Sequence, residues 1–351
     1  MKSESPRASI RTIAADLGLS KSTVGYALKN HPSVKRSTRE RVQKAARRLG
    51  YFPDARLNQL MSQVRIARTK GLLPLAWLNT SGRESTWSDY KYLSPYLEGA
   101  QARAEQLGYR VEELWVHQPG MTSRRLSQIL EAQGIEGIIV TYPATRLRLN
   151  WPRFAAVSLG GGLLAPPQNT ILPDHYYNLL LALKAVYRAG YRRIGVCIEQ
   201  QMNRLSANLL SAALENFFTK FRDLERQGPL FYRSKKSERD WLELKKKLAA
   251  WIQRTRPDVV IGHDAFLVEY VTDAGYRVPE EVGVVHLATD DDVSEWAGVD
   301  SHRRKIGATA VETAVAMVHR RDFGPPETVT RTLVRGSWKP GWTLLDPKPQ
   351  R

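Results

Sequence analysis

The chain has 351 residues, 42% of them hydrophobic and 25% charged, which gives room for two or three globular domains with sizeable cores and excludes a disordered polar chain. Its formal charge is +18, and the excess is uneven: residues 1–70 hold 16 Lys and Arg against 4 Asp and Glu, whereas the rest hold 37 against 31. A polyanion partner is therefore expected for the N-terminal fifth, an internal disulfide is excluded by the single cysteine, and no run of about 18 apolar residues predicts a membrane span.

Residues 1–8 form a polar arm with Lys2 and Arg7, and residues 1–12 lack the apolar stretch of a secretory signal, so a cytoplasmic protein is expected. Ile10, Ile13, Ala14 and Leu17 then fall at i, i+3, i+4 and i+7, one face of a helix, with Ser9 as N-cap and Gly18 as its end. Ser20 caps a second pattern that buries Val24, Ala27 and Leu28 and turns Lys21, Ser22, Gly25, Tyr26 and Lys29 outward. With only Gly18 and Leu19 between them, the two helices must cross sharply, as in a helix-turn-helix. A third pattern has Val42, Ala45, Ala46 and Leu49 on one face, and Ser37 with Glu40 is read as its capping box.

Gly50-Tyr51-Phe52-Pro53 is a stop signal. After it, Leu57, Leu60, Met61 and Val64 fall on one side of two to three helical turns, a length that is marginal in isolation. Residues 65–71 read as a basic linker. From residue 72 onward, strand-like runs at 72–79, 109–116, 137–141, 154–159, 193–199, 258–262 and 282–288 alternate with helical stretches near 93–107, 122–133, 175–189, 204–221, 239–254, 265–274 and 304–319. That alternation predicts parallel sheets built of βαβ units. Four helices close on Gly-Tyr, at Gly50, Gly108, Gly190 and Gly275, where Gly supplies a left-handed cap. Cys197 lies in an apolar strand run and reads as a buried structural thiol.

These residues resemble the LacI family of bacterial transcription regulators, the lactose- and purine-repressor type, over nearly the whole chain. The resemblance is carried by Ile13-Ala14, Gly18-Leu19-Ser20, Ser22-Thr23-Val24, Ala27-Leu28, Asn30, Pro32-Ser33-Val34, Thr38 to Val42, and Ala45-Ala46 through Leu49-Gly50-Tyr51 to Pro53. Weaker matches follow in order at 190–196, 256–264, 275–285 and 333–338. The resemblance implies an α/β fold: an N-terminal all-α helix-turn-helix head (1–52), a hinge helix and linker (53–71), and a periplasmic-binding-protein-like effector and dimerisation domain (72–351). That last domain would be two Rossmann-like subdomains, about 72–158 plus 289–321 and 160–288 plus 322–351. Gly160-Gly161-Gly162 then falls at a crossover and reads as a hinge, because no phosphate-loop context surrounds it.

The resemblance further implies a regulator, expected to be a repressor, that binds a near-palindromic double-stranded DNA operator as a homodimer. Lys21, Ser22 and Tyr26 match positions that reach base edges, and Thr23 one that holds a phosphate. Ser20, Lys29, Asn30, Lys35, Tyr51 and Arg56 complete the implied DNA-binding set. Leu60, with Leu57 beside it, matches the residue that wedges into the minor groove. Gly25-Tyr26 stands where many relatives carry Ser-Arg, so the operator bases should differ.

A small-molecule effector, expected to be sugar-like, would sit between the subdomains and bias the hinge. Strand-end and loop residues Asn79, Thr80, Trp87, Tyr90, Tyr142, Arg204, His263 and Asp264 are its candidates. Two departures blur its identity: Ala288-Thr289 stand where relatives carry Asp, and Leu210 stands near the register of a common Arg. Asp290-Asp291-Asp292 reads as a solvated loop rather than a metal site. No metal or other cofactor is expected. Neither paired metal-ligand histidines nor a nucleophile motif supports an enzyme. A secreted sugar-binding protein conflicts with the basic head, and a DNA-binding architectural protein with a vestigial cleft remains as a rival reading.

Overall fold

A computed structural model describes residues 9–28, 34–51, 71–89, 91–141, 147–160, 165–225, 227–233, 238–290 and 293–345. The head is three helices: α1 (Ile10–Leu17), α2 (Lys21–Leu28) and α3 (Arg36–Arg48). Ser9 caps α1 as its sequence predicts. Its hydroxyl accepts the Thr12 N–H at 3.2 Å, while the Ser9 N–H donates to the Thr12 hydroxyl at 3.2 Å. Gly18 takes φ 63° at the C-cap, and the Ser20 hydroxyl accepts the Thr23 N–H at 3.1 Å to start α2. The capping box expected at Ser37 and Glu40 does not form. Helix α3 starts two residues earlier with Lys35 as N-cap, and Glu40 pairs instead with Arg36 at 2.9 Å, one helical turn back. Ile13, Ala14, Val24, Ala27, Val34, Val42, Ala45 and Ala46 form the shared core.

The rest of the described chain builds two six-stranded sheets. The first, in the order β11 (Arg331–Val334), β5 (Asn169–Pro173), β4 (Ala155–Leu159), β3 (Gly137–Val140), β1 (Leu73–Asn79) and β2 (Tyr109–Trp115), is parallel throughout. In the second the order is β12 (Ser337–Lys339), β10 (Gly298–Asp300), β9 (Gly283–His286), β8 (Val259–Gly262), β6 (Ile194–Glu199) and β7 (Leu230–Tyr232); only β12 runs antiparallel. Their central strands β3, β4, β8 and β9 are buried at every position, which is why they read as continuous apolar runs rather than alternating ones.

Helices cover both faces: α4 (Thr86–Asp89), α5 (Ser94–Gln106), α6 (Ser123–Ala132), α7 (His175–Arg188), α8 (Gln200–Leu205), α9 (Leu209–Lys220), α10 (Glu238–Thr255), α11 (Leu267–Asp273) and α12 (Arg303–Arg320). The single helix expected at 204–221 is broken into α8 and α9. Ala207 and Asn208 take φ 60° and 62°, and the Asn203 side chain holds the break by accepting the Ser211 N–H at 3.1 Å. Gly50, Gly108, Gly190 and Gly275 all adopt the left-handed conformation read from their Gly-Tyr context.

Helices α5 and α12 lie unusually close. A Cβ on Gly99 would stand 2.0 Å from the Arg304 carbonyl oxygen, and one on Gly307 only 1.8 Å from that of Tyr96. No side chain fits at either position, so the two glycines set the helix spacing.

The chain passes between sheets at residues 173–175, 300–303 and 334–337, whereas the sequence placed the passages near 159, 288 and 321. The difference comes from three short strands. After Gly160 the chain returns to the first sheet as β5, β10 stays in the second sheet, and β11 adds an edge to the first. Gly160 therefore follows β4 within one sheet rather than marking a crossover, and Gly161 and Gly162 lie outside the described residues. The three passages run side by side. Asp174 donates its N–H to the Val334 carbonyl at 2.8 Å, and Gly336 donates to the Asn178 side chain at 2.8 Å.

Candidate DNA-reading surface and ligand cleft

Helix α2 divides cleanly. Val24 and Ala27 are buried against α1 and α3, while Lys21, Ser22 and Tyr26 are exposed, Tyr26 by 44%. The N-terminal turn is a hydroxyl cluster: Ser20 Oγ lies 2.8 Å from both Ser22 Oγ and Thr23 Oγ1. Among the described residues nothing stands within 4 Å of where a Gly25 Cβ would be, so their packing does not require glycine there. Lys35 is exposed at the N-cap of α3, whereas Tyr51 packs against the head core and donates its N–H to Ala46 at 2.9 Å. Lys29, Asn30, Arg56, Leu57 and Leu60 lie outside the described residues.

Between the two sheets lies a cleft of about 770 Å³ counting its open mouth. Trp87, Tyr92, Leu93, Tyr96, Leu159 and Gly160 line it from the first subdomain, and Glu199, Gln201, Met202, Leu205 and Ser206 from the second. Pro173, His175 and Arg303 stand where the chain passes between them. Trp87 is wedged edge-on between Trp77 (5.2 Å) and Tyr96 (6.0 Å), and its indole nitrogen is buried without a hydrogen-bond partner among the described residues.

Of the residues expected to meet an effector, Trp87 is in this wall. Asn79 is fully buried and spends both ends of its amide on the 81–84 loop: Nδ2 donates to the carbonyls of Arg83 (3.1 Å) and Glu84 (2.6 Å), and Oδ1 accepts from the Ser81 N–H (3.0 Å) and hydroxyl (2.6 Å). Thr80 donates to the Thr141 carbonyl at 2.7 Å. Arg204 is exposed, and it is its neighbours Met202 and Leu205 that line the cleft. Asp264 is buried at the start of α11, where Oδ1 accepts the Phe266 N–H at 3.0 Å. His263 lies one ring behind the wall, 6.1 Å from His175 and 6.4 Å from His286. Tyr90 and Tyr142 lie outside the described residues.

Burial sets the charge state of this region. It lowers the His175 imidazole to a pKa of about 4 against the opposing pull of Asp174, and lowers His263 well below the usual range with help from His175, His286 and Arg303. Both rings are neutral near pH 7. Burial likewise pushes the Cys197 thiol up, with Asp264 adding to the effect, so the thiol is the inert core group its sequence context predicts. Among the described residues, no group of three His, Cys, Asp or Glu side chains is placed to hold a metal ion.

Arg303 went unnoticed in the sequence, since nothing separates it from Arg304 and Lys305 in one basic run. It is 8% exposed at the start of α12, with its guanidinium 5.9 Å from the Tyr96 ring centre on one side and 3.7 Å from Asp290 on the other. Asp290 also accepts the Arg303 N–H at 2.7 Å and the Ser301 hydroxyl at 2.9 Å. The expectation of a solvated acidic loop is thus corrected at Asp290, whose carboxylate is spoken for by the second chain passage. Asp291 and Asp292 lie outside the described residues.

A helix-turn-helix head joined to two Rossmann-like sheets around a cleft defines a DNA-binding regulator with a ligand-binding domain of the periplasmic-binding-protein type. Residues 9–54 match the family model described as bacterial regulatory proteins, lacI family, and residues 183–338 match that of a periplasmic binding protein-like domain. Together they place the chain in the LacI family of DNA-binding transcription regulators.

The fold is similar to that of the transcriptional regulator CelR in complex with cellobiose: 16% identity, 96% of this chain and 100% of that one covered, TM-score 0.60. It is also similar to the lac repressor dimer bound to operator and the anti-inducer ONPF: 18% identity, 96% and 99% covered, TM-score 0.57. A periplasmic binding protein/LacI transcriptional regulator from Alkaliphilus metalliredigens QYMF complexed with D-xylulofuranose is similar over 78% of this chain and all of that one, at 13% identity and TM-score 0.56. At these identities the likeness is one of fold. No curated protein matches the chain in sequence.

Proposed function

We propose that the protein is a repressor that binds a near-palindromic operator as a homodimer and is controlled by a small molecule in the inter-subdomain cleft. The observation that carries this reading is the α2 surface: a helix with its apolar face buried in the head and Lys21, Ser22 and Tyr26 exposed, inside a segment matched by the lacI family model. Lys21 suits guanine O6 or N7, while Ser22 and Tyr26 can donate or accept at base edges. Ser20, Thr23, Lys29, Asn30, Lys35 and Tyr51 are assigned to the DNA-binding surface around them. Arg56, Leu57 and Leu60 form the hinge contact, with Leu60 as the minor-groove wedge. The dimer is supported by the two-fold operators such heads read, and by the dimeric state named for the lac repressor. Such a protein acts at the nucleoid, as a regulator and not an enzyme.

Selection of binding sites from random DNA by the purified protein tests the reading. A near-palindrome is expected. With Lys21→Ala, affinity should fall by about 1–3 kcal/mol and base preference should relax at one symmetric position in each half-site. Enrichment of no near-palindrome would overturn the proposal. Leu60→Ala should weaken operator binding while sparing nonspecific binding; equal loss on both would remove the wedge assignment.

A further inference from the structure

The walls of the cleft differ from a polyol site in where their polar groups are spent. A sugar presents hydroxyls around its whole rim and needs several carboxylate, amide or guanidinium groups to meet them. Here Asn79 spends both ends of its amide on the 81–84 loop, and Asp264 faces the start of α11. The amide of Asn203, on the helix that lines the second wall, braces the α8–α9 break through Asn208 (3.2 Å) and Ser211 (2.8 Å). What faces the cavity from the first subdomain is chiefly Trp87, Tyr92, Leu93, Tyr96 and Leu159; Met202 and Leu205 oppose them beside Glu199, Gln201 and Ser206, whose hydroxyl is spent on the Asn203 carbonyl at 2.8 Å.

The charges also argue against an anion such as a phosphorylated metabolite. Arg303, the one permanent cation among the described lining residues, stands between Tyr96 and Asp290, Glu199 contributes a carboxylate, and burial keeps His175 neutral near pH 7. One buried donor in this wall, the Trp87 indole N–H, has no acceptor among the described residues. A ligand acceptor that met it as the ring turned toward the cavity would remove the penalty of leaving it unmade.

We infer that the cleft takes a neutral ligand whose bulk is aromatic or aliphatic hydrocarbon and which carries few hydrogen-bonding groups, among them an acceptor for Trp87, rather than a free sugar or a sugar phosphate. This inference rests on the reading of the cleft as the effector site and narrows its chemistry. Aromatic rings on one wall with aliphatic Met202 and Leu205 on the other bind flat apolar molecules through area burial and ring contact.

The test titrates the full chain with N-phenyl-1-naphthylamine, a neutral probe that fluoresces in apolar sites, and competes it with 2-naphthol, methyl glucopyranoside and glucose 6-phosphate. The expected result is probe binding displaced by 2-naphthol and by neither sugar. Met202→Glu, which sets a carboxylate in the apolar wall at a half-buried position, should weaken the probe by about ten-fold or more with the thermal midpoint of the chain retained. Trp87→Phe, which keeps a ring and removes the N–H, should weaken 2-naphthol by about three-fold or more and leave the oxygen-free naphthalene unchanged. Equal probe affinity in wild type and Met202→Glu would overturn the inference. Binding of a sugar or sugar phosphate with no aromatic binding would overturn the ligand class and keep the effector reading. If no compound binds while operator DNA is still selected, ligand class and effector reading fall together and the DNA-binding reading stands.

Discussion

The exposed face of α2 and the walls of the cleft present side chains in opposite ways. On α2, Lys21, Ser22 and Tyr26 stand in solvent on a helix whose other face is pinned by a contiguous core, so each can be changed at little cost to the head. In the cleft, Trp87 and Arg303 are almost fully buried, touch both the cavity and the framework, and come from segments more than 200 residues apart. A reading surface made from one helix can vary its specificity by single substitutions. In a cavity assembled at the seam of two sheets, wall residues such as Trp87 and Arg303 also brace the framework, so fewer of them can vary freely.

The sharpest way to separate the two regions is Gly307→Val. With the Tyr96 carbonyl 1.8 Å from where its Cβ would stand, α12 must move off α5, and the subdomain carrying Trp87 and Tyr96 should lose about 3 kcal/mol or more. Thermal unfolding followed by hydrogen exchange should show protection lost in that subdomain and kept in α1–α3. Equal loss in the head would mean the two regions are not energetically separate.

An intermediate effect is expected from acid. His175 has a folded-state pKa of about 4 against an ordinary value near 6.5, so between those values the unfolded chain binds the extra proton. Stability contributed by neutral His175 is complete above about pH 6.5 and is lost as pH falls toward 4, by up to about 1.4 kcal/mol per pH unit. Denaturant titrations of His175→Gln should show a shallower fall across that window in the sheet domain, and no change in the head. His263 is lowered by burial in the same direction, so the variant keeps part of the slope.

The smallest effect belongs to Gly25→Ala. Because a Cβ there meets nothing within 4 Å, the substitution should stabilise the head by about 1 kcal/mol. Loss of operator affinity in this more stable variant would assign Gly25 to close approach of DNA; unchanged affinity would leave it a neutral feature of α2.

The head was legible because its signals are local. Ser9, Gly18 and Ser20 are read from neighbours within four residues, and the structure bears each of them out. Glu40 was misassigned because Arg36 offers a partner at i−4 that competes with the cap. Seven strands were visible as strand-like runs, six of them because parallel strands are buried on both faces, while the edge strand β2 is only partly buried. The short strands β5, β7, β10, β11 and β12 were not, since three to five residues, several of them exposed, carry no such run. Those same strands decide where the chain changes sheet, so the subdomain limits moved with them. Arg303 and Tyr96 escaped notice for a related reason: their importance comes from meeting each other and Asp290 across a long sequence separation, which no local pattern records.

The three chain passages lie side by side, the first and third joined through Asp174 to Val334 and Gly336 to Asn178 and the second and third through the Asp300–Ser337 pairing, an arrangement with the mechanics of a strap hinge. Tethers in a row resist stretching and sliding in concert, but bending and twisting about their common line deform few contacts. The cleft lies to one side of that line, so on the proposed function a ligand there would work with a lever arm, a small closing angle at the passages giving a larger displacement at the far lips. In such a hinge the ligand need not push on anything distant. It has only to favour one angle, and the geometry of the strap turns that preference into motion.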